Sequence, residues 1–112
     1  MISTHVLDTA QGRPAARVAV VLEQSVGKNE WRTIGHGETD ADGRLKNLMP
    51  ADRAVAPGVY RLVFDTHAYF AAQGKPSFYP HVMVVFQTLP GEPHYHVPLL
   101  VGPFGYTTYR GS

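Results

Sequence analysis

The chain has 112 residues, 44% hydrophobic and 17% charged, which is enough apolar material for a core and too little charge for a disordered polyelectrolyte. Ten basic and nine acidic side chains leave a net charge of +1, without the basic run that marks a nucleic-acid binder. With no cysteine, disulfides, thiolate metal sites and cysteine nucleophiles are excluded together.

No apolar stretch approaches the roughly 18 residues of a membrane span. The opening residues lack the basic and apolar regions of a secretory signal, so a cytoplasmic protein is expected, or a periplasmic one whose signal was removed. The length suits one domain over residues 1–112. Eleven glycines and nine prolines argue against a helical bundle and for short strands joined by tight turns.

Turn signals fall at Gln11-Gly12-Arg13-Pro14, Val26-Gly27-Lys28-Asn29, Asp40-Ala41-Asp42-Gly43, Ala56-Pro57-Gly58, Pro90-Gly91 and Gly102-Pro103. Between them, strands are expected over residues 2–7, 17–24, 30–38, 58–65, 79–87, 94–101 and 104–110, with a weaker one over 44–49. In 58–65, alternation puts Tyr60, Leu62 and Phe64 on one face and Arg61 and Asp65 on the other. The strand after Pro80 is apolar on both sides (Val82, Val84 and Phe86 opposite Met83 and Val85) and is read as central. Residues 65–74 break the pattern. Asp65 or Thr66 can cap a helix, the alanines favour one, and Gly74 is placed to end it. The expected fold is all-β, a sandwich with one short helix.

The strand His94-Tyr95-His96-Val97-Pro98-Leu99-Leu100-Val101 carries the most information. Tyr95, Val97, Leu99 and Val101 share the core face, leaving His94, His96, Pro98 and Leu100 on a mixed face that suits a pocket or subunit interface. Pro98 has no N–H and favours an edge or end position in its sheet. Histidine is the side chain best suited to proton transfer near neutral pH. His36, His67 and His81 read as surface or strand-filling residues. His94 and His96, with His5 as a third ligand, have a spacing that zinc could use, but no acid lies in the strand to orient the rings and no metal is expected. Arg44 after Asp40-Ala41-Asp42-Gly43 reads on composition alone as the flank of a solvated hairpin. The terminus Tyr106-Thr107-Thr108-Tyr109-Arg110-Gly111-Ser112 is aromatic and strand-forming where chain ends are usually dull, which predicts a docked end.

Ser3-Thr4-His5-Val6-Leu7-Asp8, Thr39-Asp40-Ala41-Asp42-Gly43-Arg44, and His94-Tyr95-His96-Val97-Pro98-Leu99-Leu100 leading to Tyr109-Arg110-Gly111-Ser112 together resemble the 5-hydroxyisourate hydrolases, also called transthyretin-related proteins. The resemblance covers essentially the whole chain, and the terminal Tyr-Arg-Gly-Ser is its most specific element. Val101-Gly102 stands where Leu-Ser is common in the family, and Thr107 where Ser is common; neither is a site position.

The resemblance implies a transthyretin-like two-sheet β-sandwich with one short helix, assembled as a homotetramer with sites where subunits meet. It implies hydrolytic opening of 5-hydroxyisourate to 2-oxo-4-hydroxy-4-carboxy-5-ureidoimidazoline in urate catabolism. It also implies that His5, Arg44, His96 and Ser112 are catalytic, and that Tyr109 and Arg110 join His5 and Arg44 in binding the substrate. Proton transfer and oriented donors can supply the chemistry without metal or organic cofactor. The alternative of another class is a non-catalytic small-ligand carrier such as transthyretin, which shares the fold and lacks the His/Arg/His set and the Tyr-Arg-Gly-Ser end.

Overall fold

The strict inward alternation of β1 (Ile2–Asp8) sets the frame: Ile2, Thr4, Val6 and Asp8 are buried, and Ser3, His5 and Leu7 face outward. In the computed structural model, which describes residues 1–112, this strand runs parallel to β8 (Tyr95–Gly102) in a seven-residue register from Ile2↔Tyr95 to Asp8↔Val101. The far edge of β1 is shared by two short antiparallel partners, β2 (Arg13–Pro14) at Leu7 and Asp8 and β5 (Arg44–Leu45) at Thr4 and His5. A hairpin returns β8 into β9 (Gly105–Thr108). The second sheet is antiparallel in the order β4 (Glu30–Glu38), β3 (Ala19–Gly27), β6 (Gly58–Phe64), β7 (Val82–Thr88), the chain crossing over from β4 to β6.

The core lies between the sheets, where Val6, Val97 and Leu99 meet Val20, Leu22, Tyr60, Leu62, Phe64 and Val82. Burying each such side chain removes apolar area from water worth about 2 kcal/mol. One buried polar group fixes a joint. Asp8 is fully buried and accepts hydrogen bonds from the Ala10 and Gln11 N–H groups, the Gln11 amide and the Tyr69 hydroxyl at 2.8–3.0 Å. Tyr69 belongs to α1 (Thr66–Ala71), so this carboxylate ties the helix to the end of β1. The helix is capped by Asp65, which accepts from the Ala68 N–H, and buries Phe70.

The alternation readings for β6 and β8 hold in the structure. Others are corrected. The apolar strand β7 is an edge strand: it pairs only with β6, and Met83 and Val85 stand exposed on its outer face. It begins at Val82 because Pro76 and Pro80 hold the preceding segment outside the ladder. Pro98 lies in β8, an interior strand, yet at the end of its ladder with β9. Pairing stops at Leu99↔Thr108, one residue short of Pro98, and resumes as a single bridge at His96↔Gly111. The expected strand over 104–110 therefore ends at Thr108. The weak strand over 44–49 shrinks to Arg44–Leu45, and β2 carries no strand signal in the sequence. No helix is long and apolar enough to cross a membrane.

Gly43 turns the chain into β5 at φ +76°, and its carbonyl accepts from the Val6 N–H at 2.8 Å. A Cβ there would collide with the Val6 carbonyl. Gly43→Ala is expected to destabilise the fold by about 2 kcal/mol, since left-handed strain and a backbone clash add. Urea unfolding measures this.

Candidate active site

Three registers bring the outward side chains of the first sheet together. Ser3 lies opposite His96 and His5 opposite Pro98 across the parallel β1–β8 pair, while His5 also lies opposite Arg44 across the β1–β5 pair. Directly opposed residues share a face, so Ser3, His5, Arg44 and His96 all project from the side away from the core. Arg44 is placed there by its turn. The Asp40 carboxylate accepts from the N–H groups of Asp42 and Arg44, both at 2.9 Å, and the Asp40 N–H donates to the Arg44 carbonyl. The Arg44 N–H bonded to Asp40 holds its carboxyl below the usual carboxylate range.

The chain end is docked against this face. The Gly111 N–H donates to the His96 carbonyl at 2.8 Å, and the Thr108 hydroxyl donates to the Pro98 carbonyl at 2.7 Å. The Arg110 guanidinium lies over the Tyr95 ring, 5.0 Å from its centroid, and pairs with Glu92 at 3.7 Å. An open cleft of about 610 Å³ results, bordered by Ser3, Arg44, His96, Arg110, Gly111 and Ser112, with Lys46, Glu92 and His94 on its rim. Of the residues expected at a site, the structure gathers Arg44, His96, Arg110 and Ser112 here. His5 is not on the wall of this cleft but stands beside Arg44 on the same sheet face. Tyr109 turns the other way, into the gap between β7 and β9 beside Val84 and Phe86. His94 precedes β8 and is exposed. No cluster of three or more histidine, aspartate or glutamate side chains forms that could hold a metal.

His96 is the perturbed group. Its imidazole is held below the ordinary histidine value first by burial, then by the charges of Arg44 and His5. It is therefore neutral at pH 7, with one ring nitrogen carrying a hydrogen and the other able to accept one. Its Nδ1 is hydrogen-bonded to the Ser3 hydroxyl at 2.9 Å. Ser3, Lys46 and Glu92 were not among the expected site residues. Ser3 was within reach of the two-residue period, since it shares the outer face with His5.

A cleft with a neutral imidazole, two guanidinium groups and a lysine suits a small, planar, oxygen-rich molecule that needs both donors and proton transfer.

A family model described as the HIUase/Transthyretin family matches residues 2–111. The 5-hydroxyisourate hydrolase of Salmonella typhimurium is 46% identical over 112 residues, covering 100% of this chain and 81% of that protein. Among solved structures, transthyretin from Sparus aurata superposes with a TM-score of 0.90 at 38% identity, covering 98% of this chain and 95% of that one. The 5-hydroxyisourate hydrolase of Klebsiella pneumoniae superposes with a TM-score of 0.86 at 35% identity, covering 99% and 97%.

The charges on His96 generate a prediction. Its titration, followed by NMR, is expected to have its midpoint below the ordinary value of about 6.5. Arg44→Ala removes a positive neighbour and should move that midpoint upward, and an unchanged midpoint would place Arg44 too far away to act on it.

Proposed function

This chain belongs to the HIUase/Transthyretin family, and from that premise we infer that it is a hydrolase of 5-hydroxyisourate, opening the ring to 2-oxo-4-hydroxy-4-carboxy-5-ureidoimidazoline in urate catabolism. The observation that carries this reading is the joint presence of His5, Arg44 and His96 on one sheet face with the Arg110-Gly111-Ser112 end docked beside them. The Sparus aurata transthyretin shares the fold equally well, so fold alone does not separate hydrolase from carrier. The polar set on that face does, because a carrier needs no neutral imidazole between cations.

The ring amide of the substrate must accept water. One histidine, His5 or His96, takes a proton from that water as it attacks the carbonyl carbon, and the carbon–nitrogen bond then breaks with a proton delivered to the departing nitrogen. The Arg44 guanidinium offers a fork of donors to the developing oxyanion. Arg110 binds the ring, and Ser112 orients ring or water; Tyr109, turned away from this cleft, takes no part in it within one subunit. No step calls for a metal or cofactor.

The reading includes one domain assembled as a homotetramer whose subunits complete each other's sites. Two features support assembly. The edge strand β7 shows Met83 and Val85 to solvent, and Phe78 and Phe104 are about 70% exposed at the end of the sandwich where Tyr79 and Tyr106 stack edge to face at 5.2 Å. Unpaired apolar edges of this kind call for a partner. A neighbour there would also enclose Tyr109, which lies in the β7–β9 gap.

The enzyme test generates 5-hydroxyisourate from urate with urate oxidase and follows its decay. The protein is expected to accelerate decay in proportion to its concentration. Arg44→Ala should lower kcat/KM roughly a hundredfold, equivalent to about 3 kcal/mol of transition-state stabilisation. A folded His96→Ala variant should be inactive. Decay at the spontaneous rate with the assembled protein would overturn the hydrolase in favour of the carrier. For assembly, sedimentation is expected to give a tetramer, and Phe78→Arg a smaller species.

A further inference from the structure

The His96 ring is held on two edges by residues from opposite ends of the chain. On one edge, Nδ1 meets the Ser3 hydroxyl at 2.9 Å. On the other, the Cδ2 edge packs against Gly111 so closely that a Cβ on Gly111 would lie 2.6 Å from Cδ2 and 3.0 Å from Pro98 Cγ. The Gly111 N–H also bonds the His96 carbonyl, which fixes the backbone on that side. No side chain other than glycine's hydrogen fits between the chain end and the ring. The nitrogen left over, Nε2, has no hydrogen-bond partner within the chain, and His96 borders the cleft.

The chemistry of the Nδ1 partner matters. A histidine oriented by a carboxylate is stabilised as the imidazolium, whereas a hydroxyl brings no charge and leaves the ring neutral. Ser3 makes no other hydrogen bond within the chain, so Nδ1 is the one acceptor there for its O–H; were Nδ1–H the donor instead, that O–H would have none. A ring nitrogen that accepts carries no hydrogen, and the hydrogen then sits on Nε2.

We propose that Ser3 and Gly111 are positioning residues that clamp His96 between them, hold it as the neutral Nε2–H tautomer, and so present it to the cleft as a hydrogen-bond donor, leaving His5 of the two histidines to take the proton from water. This goes beyond the hydrolase reading but rests on it for the use of that donor, which is to a substrate carbonyl oxygen as negative charge develops there. The clamp also accounts for the glycine in the terminal Tyr-Arg-Gly-Ser.

The tautomer is read directly from long-range 15N–1H correlation spectra of the protein labelled with 15N, with the His96 signals identified by their loss in His96→Ala. The wild type is expected to show the single Nε2–H tautomer at a pH above its titration, and Ser3→Ala a mixture of both. Ser3→Ala should also lose about tenfold in kcat with little change in KM, the size of one lost hydrogen bond, while Ser3→Thr retains the hydroxyl and should stay within about threefold of wild type. Gly111→Ala reaches the ring from the other side, with Ser3 intact, and should mix the tautomers in the same way. An Nδ1–H tautomer in the wild type, an unchanged tautomer in Ser3→Ala, or a wild-type kcat in Ser3→Ala overturns the clamp. The spectra need no substrate. A wild-type protein inactive on 5-hydroxyisourate would therefore overturn the hydrolase reading while the tautomer still decides the clamp.

Discussion

The parallel pairing of β1 with β8 is the constraint on which the rest depends. It joins residues some 93 positions apart in the chain, and each of its seven register steps does two things at once. Inward, it sets Ile2, Val6, Val97, Leu99 and Val101 into the core, with the Thr4 hydroxyl donating to the Val97 carbonyl at 2.7 Å. Outward, it sets Ser3 beside His96 and His5 beside Pro98. A slip of one residue would expose the core and bury the histidines together. Stability and site geometry are therefore specified by a single register, and the hydrophobic effect, acting on the inner face, holds the polar groups of the outer face in place.

That outer face is electrostatically unusual for a surface. Arg44, Lys46 and Arg110 ring the cleft, with Glu92 the one acidic side chain on its wall. Excess positive charge has a cost in the absence of ligand, part of which falls on His96 as a reluctance to protonate. The same arrangement suits a ligand that becomes negative as it reacts, since donors already fixed in position need no reorganisation at that moment. The Asp40 turn and the Gly43 conformation place the Arg44 backbone, and the Arg110–Tyr95 stack holds the Arg110 guanidinium, so neither residue depends on a ligand for its placement.

Much of this was legible in the sequence because alternation is a local signal. The two-residue period assigned the inner faces of β6 and β8, and Asp65 and Gly74 bracketed α1. What the period does not distinguish is a strand apolar on both faces because it is central from one apolar on both faces because its partner lies outside the chain. β7 is an edge strand, of the second kind on the proposed reading of assembly, and its central placement was the error that followed. Pro98 takes the end position its missing N–H favours, though within an interior strand. A missing N–H matters only on the side it faces, and here that side is where β9 has already ended. The cluster of Arg44, His96 and the chain end was expected from the family resemblance. Spacing alone left Arg44 as the flank of a solvated hairpin, because the pairing that sets it opposite His5 is long-range. Ser3 was passed over for the same reason, since its partner is known only once the β1–β8 register is.

The similarity to both transthyretin and a 5-hydroxyisourate hydrolase follows from where this sandwich keeps its information. The inner faces are generic: valines, leucines and aromatics that any two-sheet sandwich could use, and that say nothing of function. The outer face of the first sheet is bounded by a strand from each end of the chain and by the chain terminus itself, so a handful of substitutions there changes its chemistry without disturbing a core residue. On the proposed reading, function is written in side chains that contribute little to folding. Gly43 and Gly111 are the exceptions that link the two: one is required by a backbone turn, the other by the ring it lies against, and both stand directly beside a residue of the proposed site.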